Sequence, residues 1–380
     1  MRIAIAAFAA AVLPALSVLS ILSILSIQSA GAQAQTLKFG CYIPLTGQVA
    51  KSGKSMQNGF NMSLKDFEAS GRLKGAKLVL QCEDDQNRPD DGINIARKFV
   101  EDKDVLAVLG SWGSSVTLAA GPIYNAAKIV NMTPISSHPD VTRIGPYVFR
   151  QSIIQTAEGA ANAEYLAKAG AKRLAMIGLP NDYGKANIAL TRKAFEAKGG
   201  TVVFEEFIRP DAQDFRATLQ KAMRENPDTI YMGLFAPWAS LVAKQARQMG
   251  VKLPLYGAAA LDSREFLKLA GEAAEGMRLL LVYNPSVGPK MAEFFKRYEA
   301  QHAEPPDPFA ANAYVTLTMM LEMVAAQLPN VTREGIREAL DKVREVETIA
   351  GPLRYDPATR EWNFRFIQGV VENGNFVPAR

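Results

Sequence analysis

Val105-Leu106-Ala107-Val108-Leu109-Gly110-Ser111-Trp112-Gly113-Ser114-Ser115 decides the fold. The apolar run is too short for a helix and is rich in Val and Leu. It ends at a glycine and passes into hydroxyl residues that suit a helix start. That is a fully buried parallel strand handing its carboxyl end to a helix. The same unit recurs outward from it. Strand-like runs at 37–43, 77–82 and 129–133 belong with 105–110, and a second set follows at 173–179, 201–207, 229–234, 253–257 and 277–283. Helix patterns lie between them. One begins near Pro89 and places Ile93, Ala96, Phe99 and Val100 on one face; another runs to about Ala69, where Gly71 supplies a left-handed stop. This alternation predicts parallel sheets with helices on both faces.

The alternation occurs twice, on either side of the polar run 150–156. After Tyr283 the chain reads as helices at 288–302, 309–328 and 332–343, then β-like runs at 353–355, 363–371 and 375–377. Too little remains for a third domain, so this part is expected to pack back on the first two. The apolar stretch 309–328 is interrupted by Asn312, Glu322 and Gln327 and reads as a buried helix.

Composition narrows the function. A chain of 380 residues suits two domains, and 48% hydrophobic with 21% charged residues is globular. The net charge of +5 comes from basic residues dispersed among acids, which argues against nucleic acid. Two His and two Cys leave little for a metal site and disfavour zinc hydrolases and Ser-His-Asp enzymes. No Gly-x-Gly-x-x-Gly or Gly-x-Ser-x-Gly is present, and Gly53-Lys54-Ser55 lacks the upstream glycine of a phosphate loop. The chain is therefore expected to be no enzyme and to need no cofactor. Residues 1–34 read as a signal peptide: Arg2, an apolar stretch, then Ala30-Gly31-Ala32-Gln33-Ala34 with small residues spaced for cleavage near Ala32 or Ala34. An exported protein, most simply periplasmic, is expected.

Ligands of open α/β sheets bind beyond the carboxyl ends of the strands. Three such loops carry hydroxyls: Thr46-Gly47-Gln48, Ser111-Trp112-Gly113-Ser114-Ser115 and Ser136-Ser137-His138. Hydroxyls beside free N–H groups at a helix start suit a carboxylate. The second half offers aromatics at the equivalent places: Tyr183, Phe235, Trp238 and Tyr283. A polar wall facing an apolar wall fits a small amphipathic ligand.

At these residues the chain resembles the periplasmic solute-binding proteins of branched-chain amino acid ABC importers. The stretches that carry the resemblance are Leu45-Thr46-Gly47, Glu83-Asp84-Asp85, Leu109-Gly110-Ser111 with Ser114-Ser115, Thr133-Pro134, Asn181-Asp182-Tyr183-Gly184, 270–276 and Gly351-Pro352-Leu353. They occur in order over the mature chain. The resemblance implies two doubly wound, Rossmann-like lobes joined by a three-crossing hinge, the type I periplasmic binding fold. The N-lobe would be 36–153 plus 284–350, and the C-lobe 154–283 plus 351–380. It implies capture by lobe closure and delivery by a monomer to ABC permease membrane subunits with cytoplasmic ATPases.

Its carboxylate-binding positions fall on Ser114 and Ser137, with backbone groups of Ser111 and Ile135. Its stacking tyrosine falls on Tyr183, and its pocket positions fall on Ser52, Phe235 and Phe309, with Trp112 and His138 in the same loops. Amino-acid binders of this family usually place a carboxylate where this chain has Ala259, to hold the α-ammonium. That departure favours a small carboxylate without the amine, aromatic or otherwise apolar. A branched-chain or other apolar amino acid is the alternative, or a ligand-sensing receptor on the same fold. Asp262 would substitute only if its loop shifts; otherwise it reads as the N-cap of the next helix. The family fold also makes the strands of Cys41 and Cys82 neighbours, so a disulfide between them is expected.

Overall fold

The computed structural model describes residues 35–285, 288–362 and 364–379. The signal peptide expected at 1–34 lies outside them. In chain order the strands are β1 (Thr36–Ile43), β2 (Lys77–Asp84), β3 (Val105–Gly110), β4 (Val130–Thr133), β5 (Val148–Arg150), β6 (Arg173–Gly178), β7 (Thr201–Phe207), β8 (Thr229–Gly233), β9 (Leu255–Gly257), β10 (Arg278–Leu281), β11 (Glu345–Thr348), β12 (Gly351–Asp356), β13 (Glu361–Trp362), β14 (Ile367–Glu372) and β15 (Asn375–Pro378). The α-helices are α1 (Ala50–Ala69), α2 (Pro89–Glu101), α3 (Ser114–Ala126), α4 (Gln155–Lys168), α5 (Asp182–Glu196), α6 (Arg216–Arg224), α7 (Ala236–Gln248), α8 (Arg264–Ala270), α9 (Pro289–His302), α10 (Pro308–Ala325) and α11 (Arg333–Lys342).

The strands form two sheets. The first runs β11-β12-β13-β5-β4-β3-β1-β2 and the second β15-β14-β10-β9-β8-β6-β7. Each holds five consecutive parallel strands in the order 2-1-3-4-5, counted within its own half. In such a sheet the order reverses between the first and third strands, and loops there diverge to leave a crevice. The crevice of one sheet lies at the loops after β1 and β3, that of the other at the loops after β6 and β8.

Period-2 alternation sets the layers. Along β1, Leu37, Phe39, Cys41 and Ile43 enter one core and Tyr42 enters another, with Phe99, Val116 and Tyr124. Gly40 lies between, where an added Cβ would stand 3.0 Å from the Phe99 ring. On α2 the buried face is Gly92, Ile95, Ala96 and Phe99, shifted from the one expected, with Ile93 and Val100 half-buried. Cys41 and Cys82 are partners in the β1–β2 register and form the expected disulfide, with Cα atoms 4.2 Å apart. Helix α10 is buried along nearly its whole length and packs on α1. No helix among the described residues is long and apolar enough to cross a membrane.

One expected boundary is corrected. Residues from 351 onward do not all join the second sheet: β12 and β13 belong to the first, and the chain changes sheets between Trp362 and Ile367. The reason is local. β12 folds back antiparallel on β11, with Thr348 Oγ1 donating to Gly351 O at 2.7 Å. Glu361 then stands in parallel register with Arg150 and pairs with its fully buried guanidinium. The Trp362 and Tyr355 rings pack 4.9 Å apart, and Tyr355 reaches Phe149. Strand β5, only three residues long, was not expected either.

Candidate ligand-binding site

The carboxyl ends of the two sheets face each other across one cleft. The first sheet and its helices contribute Trp112, Ser114, Ile135, Ser137, Pro308, Phe309 and Asn312. The second contributes Glu158, Tyr183, Phe235, Ala259 and Ala260, and the crossings contribute Ser152, Ile153 and Val282. Together they line a cavity of about 50 Å³.

The aromatic wall comes from four helix starts, those of α3, α5, α7 and α10. Asn181 caps α5, its Oδ1 accepting from Gly184 N at 2.8 Å, and this sets Tyr183 at the crevice of the second sheet. Gly184 is obligatory there, because a Cβ would lie 2.3 Å from Leu179 O. Tyr183 stacks on Phe235 with ring centroids 4.6 Å apart. Trp112, from the opposite lobe, meets Phe235 at 4.4 Å and Phe309 edge-on at 5.9 Å. Phe309 is placed by α10, whose Asp307 cap accepts from Ala310 N at 3.0 Å. Ser115 Oγ accepts from Asp182 N at 3.3 Å, a second bond between the lobes.

The polar wall is narrower than the sequence suggested. Ser114 is the first residue of α3, where free N–H groups favour an anion. Its hydroxyl accepts only a long bond from His138 N, 3.4 Å. The carbonyl of Ser137 accepts from Gln155 N at 3.0 Å, which ties the first lobe to the start of α4. The other hydroxyls of the three loops are structural. Thr46 binds Asp84 through both its N–H and its hydroxyl, so the Leu45-Thr46-Gly47 and Glu83-Asp84-Asp85 stretches hold each other. Ser111 donates to Asp85 Oδ2 at 2.6 Å, its N–H donates to Thr117 Oγ1, and its carbonyl accepts from Thr133 and Ser136. Burial pushes the Asp85 carboxyl up to about 6.

Of the residues singled out in the sequence, the cavity brings together Trp112, Ser114, Ile135, Ser137, Tyr183, Phe235, Ala259 and Phe309. It does not include Ser52, which is buried on α1, nor Ser111. His138 stands behind Ser114, its Nδ1 accepting from Asp140 N and its carbonyl from Arg150 Nη1. The backbone N–H of Ile135 is turned to Thr133 Oγ1 at 3.3 Å. Trp238 turns away to donate to Pro210 O at 2.9 Å. Tyr283 is buried at a crossing, with its hydroxyl on Asn312 Oδ1 at 2.7 Å. Asp262 is not a helix cap: Ser263 caps α8, while Asp262 accepts from Val282 N at 3.3 Å, outside the cavity.

The residue that sequence reasoning missed is Glu158, fully buried and lining the cavity beside Ala259. Its Oε1 accepts from Ala259 N at 2.8 Å. The signal was available: Gln155, Glu158, Gly159, Asn162, Ala163 and Leu166 recur at helical spacing on the buried face of α4, so an acid sits in a stripe that must be inside. Burial pushes its carboxyl up to about 7, and the Ala259 N–H moderates the rise. Three buried polar atoms of the lining have no protein partner among the described residues: Trp112 Nε1, Tyr183 Oη and Glu158 Oε2.

Residues 36–373 match the family described as periplasmic binding protein. The chain belongs to that family. Among relatives of this binding protein is the leucine-specific-binding protein of Salmonella typhimurium, 27% identical over 335 residues, covering 86% of this chain and 89% of the relative. A leucine binding protein from Thermotoga maritima has a solved structure with TM-score 0.83 and 26% identity, covering 90% of this chain and 98% of that one. A solute binding protein of an ABC transporter from R. palustris, solved in complex with benzoate, shares the fold at TM-score 0.83 and 23% identity, covering 90% and 95%. This binding protein is a solute-binding protein of the branched-chain amino acid ABC transporter type.

Proposed function

We propose that this binding protein captures a small carboxylic acid with an apolar, preferably aromatic, body and no α-amine, and delivers it as a monomer to ABC permease membrane subunits with cytoplasmic ATPases. The observation that carries the reading is one cavity that joins the hydroxyls of Ser114 and Ser137 at a helix start to the rings of Trp112, Tyr183, Phe235 and Phe309. Ala259 stands where the family's amino-acid binders usually have a carboxylate. Apart from Glu158, no charged side chain lines the cavity, so the ligand's carboxylate rests on hydroxyls and N–H groups rather than on a cation. In this reading the chain is exported to the periplasm after removal of residues 1–34, and the lobes close on the ligand.

A second reading, an apolar amino acid, is favoured by one observation: Glu158 lines the cavity and, when ionised, pairs an ammonium. Thermal-shift measurements on the purified chain separate the two. Aromatic and branched-chain acids, each beside its matching amino acid, are expected to raise the melting temperature more than the amino acid does. A larger rise with the amino acid throughout the series supports the second reading instead.

A further inference from the structure

We propose that Glu158 is a specificity residue that donates a hydrogen bond from its protonated carboxyl to a second, neutral oxygen of the bound acid, so that oxo and hydroxy acids are selected over plain acids. The inference rests on the reading of the cleft as a carboxylic-acid site.

The geometry fixes where the proton goes. An N–H must meet a lone pair, so the Ala259 N–H on Oε1 leaves Oε2 as the protonated oxygen. Oε2 is buried and without a protein partner, on a side chain that lines the cavity. A buried donor left unmade carries a penalty that a ligand acceptor relieves. Ala259 provides the room, since only its methyl group stands beside this carboxyl in the cavity lining. A 2-oxo acid carries an acceptor oxygen where the matching amino acid carries its ammonium.

The groups around Glu158 are neutral. On its own helix stands Asn162, whose Nδ2 donates to Tyr231 Oη at 2.9 Å. From β8, Tyr231 donates in turn to Asn187 Oδ1 on α5 at 2.7 Å. Tyr183, also on α5, is the other titratable neighbour, and burial raises both tyrosines so that they keep their protons. With the carboxyl pushed up to about 7 by burial, the neutral form dominates below that pH. An acceptor ligand holds the proton in place and an ammonium ligand expels it. Affinity for an oxo acid therefore falls as pH rises above about 7, towards tenfold per unit, whereas affinity for an amino acid falls as pH drops below it.

The test is calorimetric titration of the full mature chain with phenylpyruvate, 3-phenylpropionate and phenylalanine at pH 5.5 and 8.5. The expected result is phenylpyruvate binding at least tenfold more tightly than 3-phenylpropionate at pH 5.5, with that advantage reduced about tenfold at pH 8.5. Glu158→Gln keeps a neutral donor of the same shape, so it should retain the advantage and make it independent of pH. Glu158→Ala should lose it at both. Equal binding of the two acids by the wild type overturns this inference alone, because the acid site would still stand. An unchanged pH dependence in Glu158→Gln does the same. Phenylalanine binding more tightly than both acids, or no binding by either acid, overturns the acid reading and this inference with it.

Discussion

The rings of Trp112 and Phe235, carried by loops of different sheets, meet with centroids 4.4 Å apart. A contact of that kind exists only when the lobes are closed, and Ser115 with Asp182 makes a second bond across the same cleft. The two crossings beside the cavity bend around Asn312 and Thr316 of α10, which bind Tyr283 and Gln151. A ligand that touches both lobes stabilises this closed arrangement in proportion to its preference for it. Small-angle scattering with saturating phenylpyruvate is expected to show a smaller radius of gyration than the free protein, with a curve that matches the closed structure. An unchanged profile with a verified ligand would count against closure as the working motion.

Ser114 and Ser137 carry the carboxylate in this reading. Loss of one such charge-assisted hydrogen bond costs about 1.5–3 kcal/mol, roughly ten- to a hundredfold in affinity. Ser114→Ala and Ser137→Ala should each show that loss without a drop in melting temperature. Ser52→Ala should bind normally, since Ser52 lies outside the cavity. A loss at Ser52 equal to that at Ser114 would restore the family's assignment of that position.

The parallel framework and its repetition were legible, because buried strands in such sheets are continuous apolar runs that end at turns. Strand β5 was not, since three residues show no period. The third crossing was misplaced because Gly351-Pro352 reads as a boundary, whereas the buried Arg150–Glu361 pair that holds β13 in the first sheet is a long-range fact. In the cleft, Tyr183 and Phe235 were legible as loop aromatics, whereas Trp238 and Tyr283 were over-read and serve Pro210 and Asn312. Hydroxyl residues were over-read: Thr46 and Ser111 serve neighbouring carboxylates. Glu158 escaped because an acid in the first turn of a helix ordinarily answers to the helix dipole, and only its place in the buried stripe marks it.

The disulfide gives a prediction about stability. Cys41 and Cys82 close a loop with sequence separation 41, which constrains the unfolded chain by about 4 kcal/mol in the loop-entropy picture. The double variant Cys41→Ala/Cys82→Ala is expected to melt several degrees lower while keeping its ligand affinity, because neither residue lines the cavity. Alkylation of the denatured, non-reduced exported protein should modify no thiol. Two modified thiols would exclude the bond.

Stability of the ligand-free protein should fall as pH rises from about 5 to 8. Burial raises the carboxyls of Asp85 and Asp307 to about 6, Glu158 to about 7 and Asp262 to about 8. Between their ordinary values and these, the folded state keeps protons that the unfolded state has released. The unfolded state therefore binds fewer protons, and the slope of stability against pH is negative. Burial raises Glu265 as well, and His138 and His302, lowered by burial, act in the opposite sense just below pH 6.5, two groups against five. Calorimetric melting across this range checks the sign, and Asp262→Asn should flatten the upper part. A melting temperature that climbs from pH 5 to 8 would contradict the assignment of these carboxyls as neutral in the fold.

The most direct measurement is the affinity of the purified mature chain, by calorimetry at pH 6, for phenylpyruvate against phenylalanine. Ala259 provides no carboxylate for an α-ammonium, and the Glu158 carboxyl is largely protonated at that pH. The acid is expected to bind at least tenfold more tightly. Phenylalanine binding tenfold more tightly than phenylpyruvate would contradict the account and make Glu158 the partner of an ammonium.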